Sequence, residues 1–268
     1  MQHLITALKG FVIGAAMTVP GVSGGMIAIL LDVFDRLISA ISNIFKDFKK
    51  NVLFLLVFGL GGVSGMVLLS KLILYIEGLF PIPVRFFFIG AILAGIPLIW
   101  KKAGLSKFNI KSVLFALGGL AFVCLMTLIP KDLVSLDEGF GIVNILIFAV
   151  VGIGNAIALI APGISFSHML LIFGIYDKFY SAIETLDIPF LLCIVIPMGI
   201  AMLALVKGMD FLLKKYPEYT YSAILGFVVG SLKDVFVGFP TGLQIPASIL
   251  TLVAGFAAVT AVNLYNKK

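Results

Sequence analysis

The sequence has little charge and few residues that carry acid-base or metal chemistry. Asp, Glu, Lys and Arg make up 12% of its 268 residues, against about 25% in soluble domains. It has two cysteines and two histidines, and no paired carboxylates suited to catalysis. We therefore predict a protein that is not an enzyme and has no metal site, disulfide or redox motif.

Other motifs are missing as well. The sequence contains no G-x-x-x-x-G-K-[ST] loop, which excludes ATP-driven transport by this chain alone. We predict no cofactor and no nucleic-acid partner. The sequence leaves open whether a proton or a sodium ion is coupled to its activity, and what its oligomeric state is.

Long hydrophobic stretches fill most of the chain. Hydrophobic residues make up 61% of the sequence, several apolar runs exceed the roughly 18 residues that cross a bilayer as a helix, and period-two alternation is absent. We therefore predict an all-α polytopic membrane protein, residues 1–268 forming one membrane domain, with the first apolar run retained as structure. The uninterrupted spans are expected at about 52–76, 86–100, 112–129, 189–213, 222–236 and 245–264.

The chain is an internal duplication. A shift of 142 lays 155–183 on 13–41 without a gap, and a shift of 136 aligns the later spans. Repeat 1 covers about 1–134 and repeat 2 about 143–268. Each begins with a segment broken by Pro-Gly, at Pro20-Gly21 and Pro162-Gly163.

A Pro-Gly pair inside an apolar segment predicts a broken helix. Proline removes an N–H group and keeps the preceding residue out of a helix, whereas glycine allows close approach of the backbone. A helix that restarts inside the membrane presents free N–H groups and a partial positive charge, which suits an anion. The alternative is a kinked helix packed against its neighbours through small residues.

Basic residues indicate the topology. If each broken segment is a re-entrant hairpin that enters and leaves on one side, three transmembrane helices separate the copies, which makes the repeats inverted. One face then collects thirteen basic residues and the other four. By the positive-inside rule the first face is cytoplasmic, and both termini lie there.

Three ionisable residues are candidates for function. Lys71 and Lys207 are repeat mates inside predicted spans, where a lysine either faces a cavity or partner or snorkels to the interface. His168 follows the second broken segment. It is either an anion contact or proton relay, or a structural hydrogen-bonding residue.

Two motifs resemble a known family. Val19-Pro-Gly-Val-Ser-Gly-Gly25 and Ala161-Pro-Gly-Ile-Ser165 are similar to motifs of the PopT-type undecaprenyl-phosphate translocases, once catalogued as a domain of unknown function. The resemblance covers essentially the whole chain. It implies a flippase of the bacterial cytoplasmic membrane that returns the polyprenyl-phosphate carrier of cell-wall precursors from the outer to the inner leaflet.

The expected phosphate contacts are the residues that follow the two breaks, with the paired lysines as second-rank contacts: Gly21, Val22, Ser23, Gly24, Gly163, Ile164, Ser165, Ser167, Lys71 and Lys207. Two other functions remain open at this point. One is a secondary transporter of a soluble anion, and the other is a membrane scaffold that transports nothing.

Overall fold

The fold is that of a computed structural model, which describes residues 2–19, 21–104, 109–126, 128–130 and 141–265. Within these ranges the chain forms twelve helices and no strand. Five of these helices are long and apolar enough to cross a membrane. The protein is therefore a multi-pass helical membrane protein, as the sequence predicts.

The helices fall into two corresponding series, one in each repeat. The first series is α1 (Gln2–Ala16), α2 (Gly24–Leu30), α3 (Phe34–Ser42), α4 (Phe48–Leu79), α5 (Pro81–Lys102) and α6 (Ile110–Met126). The second series is α7 (Ile142–Ile160), α8 (Phe166–Ile172), α9 (Tyr176–Thr185), α10 (Ile188–Lys215), α11 (Pro217–Val235) and α12 (Gln244–Tyr265).

The predicted uninterrupted spans correspond to α4, α5, α6, α10, α11 and α12. Pro81 and Pro217, which are repeat mates, each occupy the first turn of their helix. Proline is favoured there because its missing N–H has no intrahelical partner at that position and its φ is already helical. The boundary between the long helices is thus set by the same residue in both halves.

Helices α1 and α4 pack closely and run in the same direction. Gly61 lies against the backbone of Ala7, and Gly65, four residues further on, lies against Phe11. Small residues let the two backbones approach without a hydrophobic driving force, which lipid does not provide. Since α1 and α4 begin at the same end of the bundle, the chain between them returns to the end from which it started.

Helices of the first repeat pack against helices of the second. Helix α5 packs along α12, with Thr251 donating a hydrogen bond to the Pro83 carbonyl at 2.7 Å. Helix α6 packs along α11, with Ser112 donating to Glu218 at 2.6 Å. Each pair joins one helix of the first repeat to one of the second, and the larger core contains residues of both halves. A smaller core, from Phe148 to Ile194, is formed by buried residues of the second repeat.

The repeat mates α5 and α11 run antiparallel. The rings of Phe86 and Phe236 lie 6.5 Å apart at one end of the pair, and the Lys102 ammonium lies 5.7 Å from the centre of the Tyr221 ring at the other. We call the second of these the basic end, because Arg36, Lys102, Lys111, Lys214 and Lys215 belong to helix termini there. The end with Phe86 and Phe236 is called the opposite end.

Candidate functional site

The two broken segments meet at the centre of the bundle. The backbone N–H of Gly163 donates a hydrogen bond to the Ser23 hydroxyl at 3.2 Å. The Ser167 hydroxyl donates to the Met17 carbonyl at 3.0 Å. Residues that lie 140 and 150 positions apart in the sequence are thereby joined directly.

A short helix restarts after each break, and a serine caps it. Ser23 accepts a hydrogen bond from the Met26 N–H at 3.4 Å, and its repeat mate Ser165 accepts one from the His168 N–H at 3.3 Å. Serine is a preferred cap because its hydroxyl satisfies an N–H that has no partner within the helix. Pro20 lies outside the described residues, but Gly21 and Gly163 both adopt positive φ, +88° and +97°.

Both motif glycines are required by packing as well as by conformation. A Cβ at Gly21 would lie 2.6 Å from the Asp234 carbonyl oxygen, and one at Gly163 would lie 2.7 Å from the Phe227 backbone. Asp234 and Phe227 belong to α11, so this single helix contacts both motifs. The close approach that glycine permits is made here by protein backbone.

The predicted phosphate contacts after the breaks form one buried group. All eight have little or no exposed surface: Gly21, Val22, Ser23, Gly24, Gly163, Ile164, Ser165 and Ser167. The hydroxyls of the three serines are bonded to protein groups in this conformation. The structure therefore shows a closed centre in which the motifs bind one another.

His168 and Asn155 lie beside this centre. The His168 ring is half-buried, and its Nε2 atom has no hydrogen-bond partner among the described residues. Asn155 is fully buried and donates to the Val151 carbonyl at 2.9 Å, while its Oδ1 atom is unpartnered among the same residues. Buried polar atoms of this kind are uncommon and often mark functional positions.

Lys71 and Lys207 are not part of this centre. Lys71 is on α4, its side chain is 81% exposed, and its Nζ lies 3.7 Å from a carboxylate oxygen of Glu184. Lys207 is exposed on α10. The two lysines lie on the outer surface, Lys71 nearer the opposite end and Lys207 nearer the basic end.

Two ion-paired clusters, one at each end, do not follow from the sequence pattern. At the opposite end Arg85, on α5, pairs with Glu77, on α4, and both side chains are largely buried. Arg85 is one of the four basic residues that the sequence places near the interface on the less basic face, but its partner is not predicted. At the basic end Lys102 bridges Asp32 and Asp35 at 2.8 Å each, and Tyr221 donates to Asp35. No local motif marks either pair, because the partners lie on different helices.

An apolar groove leads from the basic end to the second motif. Its volume is about 710 Å³, within the range of roughly 300–1,000 Å³ common for ligand sites. The polar residues of its lining are Lys111, Tyr216, Tyr219 and Thr220, all near the starts of α6 and α11. Ala161 and Ile164, at the second break, also line it.

The protein is thus a polytopic membrane protein built from two repeats. Apolar helices of the two repeats pack against each other, and the two broken segments meet at a buried centre. A sequence profile described as undecaprenyl phosphate translocase-like matches residues 13–248. The chain belongs to that family, which confirms the resemblance seen in the two motifs.

Two curated relatives are similar over most of their length. A polyprenyl-phosphate transporter of Vibrio cholerae is 30% identical over 249 residues, covering 88% of this chain and 78% of the relative. A polyprenyl-phosphate transporter of Staphylococcus aureus is 34% identical over 263 residues, covering 94% and 93%. No solved structure matches the chain. The relatives are transporters and not enzymes, which agrees with the class predicted from the sequence.

Proposed function

We propose that this protein is a flippase for polyprenyl phosphate that returns undecaprenyl phosphate from the outer to the inner leaflet of the bacterial cytoplasmic membrane. The observation that carries the proposal is the direct contact between the two broken motifs, Gly163 N–H to Ser23 hydroxyl, at the buried centre. A centre built from both repeats can be exposed first to one side and then to the other. Both relatives bear the name polyprenyl-phosphate transporter.

Helix directions support an inverted arrangement of the repeats. The mates α5 and α11 run antiparallel, as inversion requires, and the parallel packing of α1 and α4 fits a re-entrant first segment. The basic end is then cytoplasmic by the positive-inside rule. Such a pseudo-twofold places matched residues at opposite depths, which is the arrangement of many alternating-access transporters.

Phosphate binding requires the two motifs to separate. Separation frees the Ser23 hydroxyl and the Gly163 N–H, and exposes the starts of α2 and α8 together with Ser165 and Ser167. Hydrogen bonds from N–H and hydroxyl donors to a charged phosphate are stronger than the neutral bonds they replace. His168, whose Nε2 has no partner among the described residues, is our candidate for an anion contact or proton relay beside the motif. The proposal needs no cofactor.

The position of the paired lysines fits capture at the surface. Lys71 and Lys207 are exposed near opposite ends of the bundle, so each can attract an anionic headgroup in the adjacent leaflet. A lysine on the outer surface reaches the interface with its flexible side chain. In this proposal they recruit the headgroup, and the central motifs hold it.

The groove favours a lipid substrate over a soluble anion. Its lining is apolar along most of its length, with aromatic rings from Phe115, Phe122 and Phe227. A small hydrophilic anion gains nothing from such a surface and would lose its hydration there. A polyprenyl chain can stay in the groove or in lipid while the phosphate moves.

Reconstitution tests the proposal directly. Purified protein in liposomes should accelerate translocation of polyprenyl phosphate, measured by the access of an impermeant phosphate-binding reagent, and should not take up labelled inorganic phosphate. In cells, depletion should raise the amount of undecaprenyl phosphate exposed outside. Uptake of inorganic phosphate without lipid translocation would replace the flippase with a soluble-anion transporter, and neither activity would favour a scaffold.

A further inference from the structure

The groove has the length and polarity of one lipid monolayer. It follows α6 from Lys111 to Phe122. Eleven residues of helix rise about 16 Å, roughly half of the hydrocarbon core of about 30 Å. The polar groups lie at its outer end and the apolar walls extend inward, which is the orientation of a lipid molecule in its leaflet.

Aromatic rings and a glycine shape the inner part. Phe115 stacks on Tyr219 with ring centres 5.1 Å apart, and Phe122 lies 5.9 Å from Phe227, so paired rings from α6 and α11 form one wall. Ile157 of α7 and Met209 and Leu212 of α10 complete the lining. At Gly118 no atom of the described residues lies within 4 Å of the position a Cβ would take. A side chain at position 118 would therefore extend into open space in the groove lining.

We propose that this groove seats the substrate lipid itself: the first isoprene units of a polyprenyl phosphate lie along the packed α6–α11 pair, against residues of α7 and α10, and the phosphate lies at the rim beside Lys111. This rests on the proposed function, since it assigns a second position to the same substrate. The site lies at the basic end, and Ala161 and Ile164 connect its inner end to the second motif. It is the position from which the lipid enters or leaves the central site.

The charge at the rim of the groove and the connection of its inner end to the second motif favour polyprenyl phosphate as the occupant. A basic residue at the rim complements a phosphate monoester, which carries more negative charge than the diester of an ordinary phospholipid. The inner end opens onto a motif that the lipid must reach in order to cross.

Photolabelling tests the site in the full-length protein in liposomes. The probes are a polyprenyl phosphate with a diazirine in its first isoprene units and a phosphatidylglycerol with a diazirine in one acyl chain. The polyprenyl probe should label the 115–122 and 219–227 segments, and unlabelled polyprenyl phosphate should reduce that labelling about tenfold. Equal labelling by the phosphatidylglycerol probe, with no competition by polyprenyl phosphate, would make the groove a general lipid surface and overturn the proposal.

A matched pair of variants separates the groove from the helix surface in general. Gly118→Leu fills the groove, whereas Gly59→Leu adds the same side chain to an exposed helical glycine on α4 that is equally open. We expect Gly118→Leu to lower labelling and translocation about tenfold and Gly59→Leu to change neither. Wild-type labelling and rate in Gly118→Leu would overturn the groove site and leave the flippase intact.

The proposed position of the phosphate at the rim is tested by removing the positive charge there. Lys111→Gln should weaken labelling severalfold, whereas Lys101→Gln, at an exposed lysine that does not line the groove, should not. If the Lys111→Gln variant is labelled as strongly as the wild type, the phosphate does not lie at the rim. If wild-type protein neither binds nor moves polyprenyl phosphate, the proposed function fails first, and the seat in the groove fails with it.

Discussion

Ser23 accepts a hydrogen bond from the backbone N–H of Gly163 at 3.2 Å, although its repeat mate Ser165 makes no corresponding bond to Gly21 in the described structure. Ser23 thus has two donors, Met26 and Gly163, whereas Ser165 has one. Equivalent residues in a duplicated chain therefore have unequal roles. The conformation is asymmetric at its centre, which fits the alternation proposed above.

This inequality predicts different effects of the same substitution. Ser23→Ala removes a helix cap, at about 0.5–2 kcal/mol, and leaves the buried Gly163 N–H unsatisfied, at about 1–3 kcal/mol more. Ser165→Ala removes only a cap, a loss of about 0.5–2 kcal/mol. Thermal unfolding in detergent should show a lower midpoint for Ser23→Ala. A larger loss in Ser165→Ala would contradict the link between the motifs.

The motif glycines are expected to be intolerant of even one methyl group. Gly21→Ala and Gly163→Ala place a Cβ against the backbone of α11 and force positive φ on a non-glycine residue. Overpacking costs about 1–3 kcal/mol, and the left-handed conformation adds about 1–2 kcal/mol. The expected result is reduced abundance and a lower unfolding midpoint in both variants.

Gly118→Ala is the control, because its Cβ would meet no atom of the described residues and its helix should gain stability. Normal stability in Gly21→Ala or Gly163→Ala would show that α11 does not pack there as described. The same contacts mean that loss of transport in a glycine variant does not by itself demonstrate a phosphate cradle.

Sequence periodicity and duplication predict the long helices and the two breaks, because apolar length, proline and glycine act locally. The packing of α5 on α12 and of α6 on α11 is not predicted, since nothing in the sequence of one helix specifies its partner. The Ser23 to Gly163 bond likewise joins residues 140 positions apart, so the members of the site are predictable from the sequence but their contacts are not.

Arg85 shows the same limit. Its position beside a turn suggests an interface, whereas the structure buries it against Glu77. Breaking a buried ion pair by removing one partner costs about 3–5 kcal/mol, because the other charge remains buried. We expect Glu77→Gln to destabilise the protein by this amount, measured by thermal unfolding in detergent.

Two controls accompany this prediction. Glu184→Gln removes a carboxylate whose side chain is 62% exposed and which pairs with Lys71 at the surface, where such pairs contribute about 0–1 kcal/mol. The double variant Glu77→Leu with Arg85→Met should recover part of the loss, because no buried charge remains. Similar effects of Glu77→Gln and Glu184→Gln would show that the Arg85 pair is not buried in the membrane-embedded protein.

Substitutions of the two exposed lysines should affect substrate capture without affecting the stability of the protein. Lys71→Gln and Lys207→Gln should leave the unfolding midpoint unchanged, since both side chains are on the surface. If each recruits a phosphate headgroup, neutralisation removes a charge-assisted contact of about 1.5–3 kcal/mol, or roughly ten- to a hundredfold in affinity. In oriented liposomes Lys71→Gln should weaken capture from the outer leaflet and Lys207→Gln exchange at the inner leaflet.

Arginine at either position should restore part of the activity, because the charge is kept with a different geometry. If both glutamine variants translocate the lipid at the wild-type rate, the lysines only extend their side chains to the membrane interface and do not recruit the headgroup. The phosphate would then be held by N–H groups and hydroxyls of the central motifs.

The topology of the bundle is testable by chemical labelling. In a background without Cys124 and Cys193, single cysteines at Lys50 and Tyr216 lie at the basic end, and a cysteine at Leu243 lies in the connection between α11 and α12 at the opposite end. Lys50 is used in place of its neighbour Asn51, which is 3% exposed. The reporter sites Ser106 and Ser135, also natural choices from the sequence, lie outside the described residues.

If the basic end is cytoplasmic, an impermeant maleimide added to intact cells should label Leu243→Cys and spare Lys50→Cys and Tyr216→Cys, and permeabilisation should expose all three. The comparison of Lys50 with Tyr216 is decisive, because these residues belong to different repeats and share one side only if the repeats are inverted. Labelling of one of them and protection of the other would mean that the broken segments cross the membrane, which would exclude the re-entrant arrangement and the alternating-access mechanism built on it.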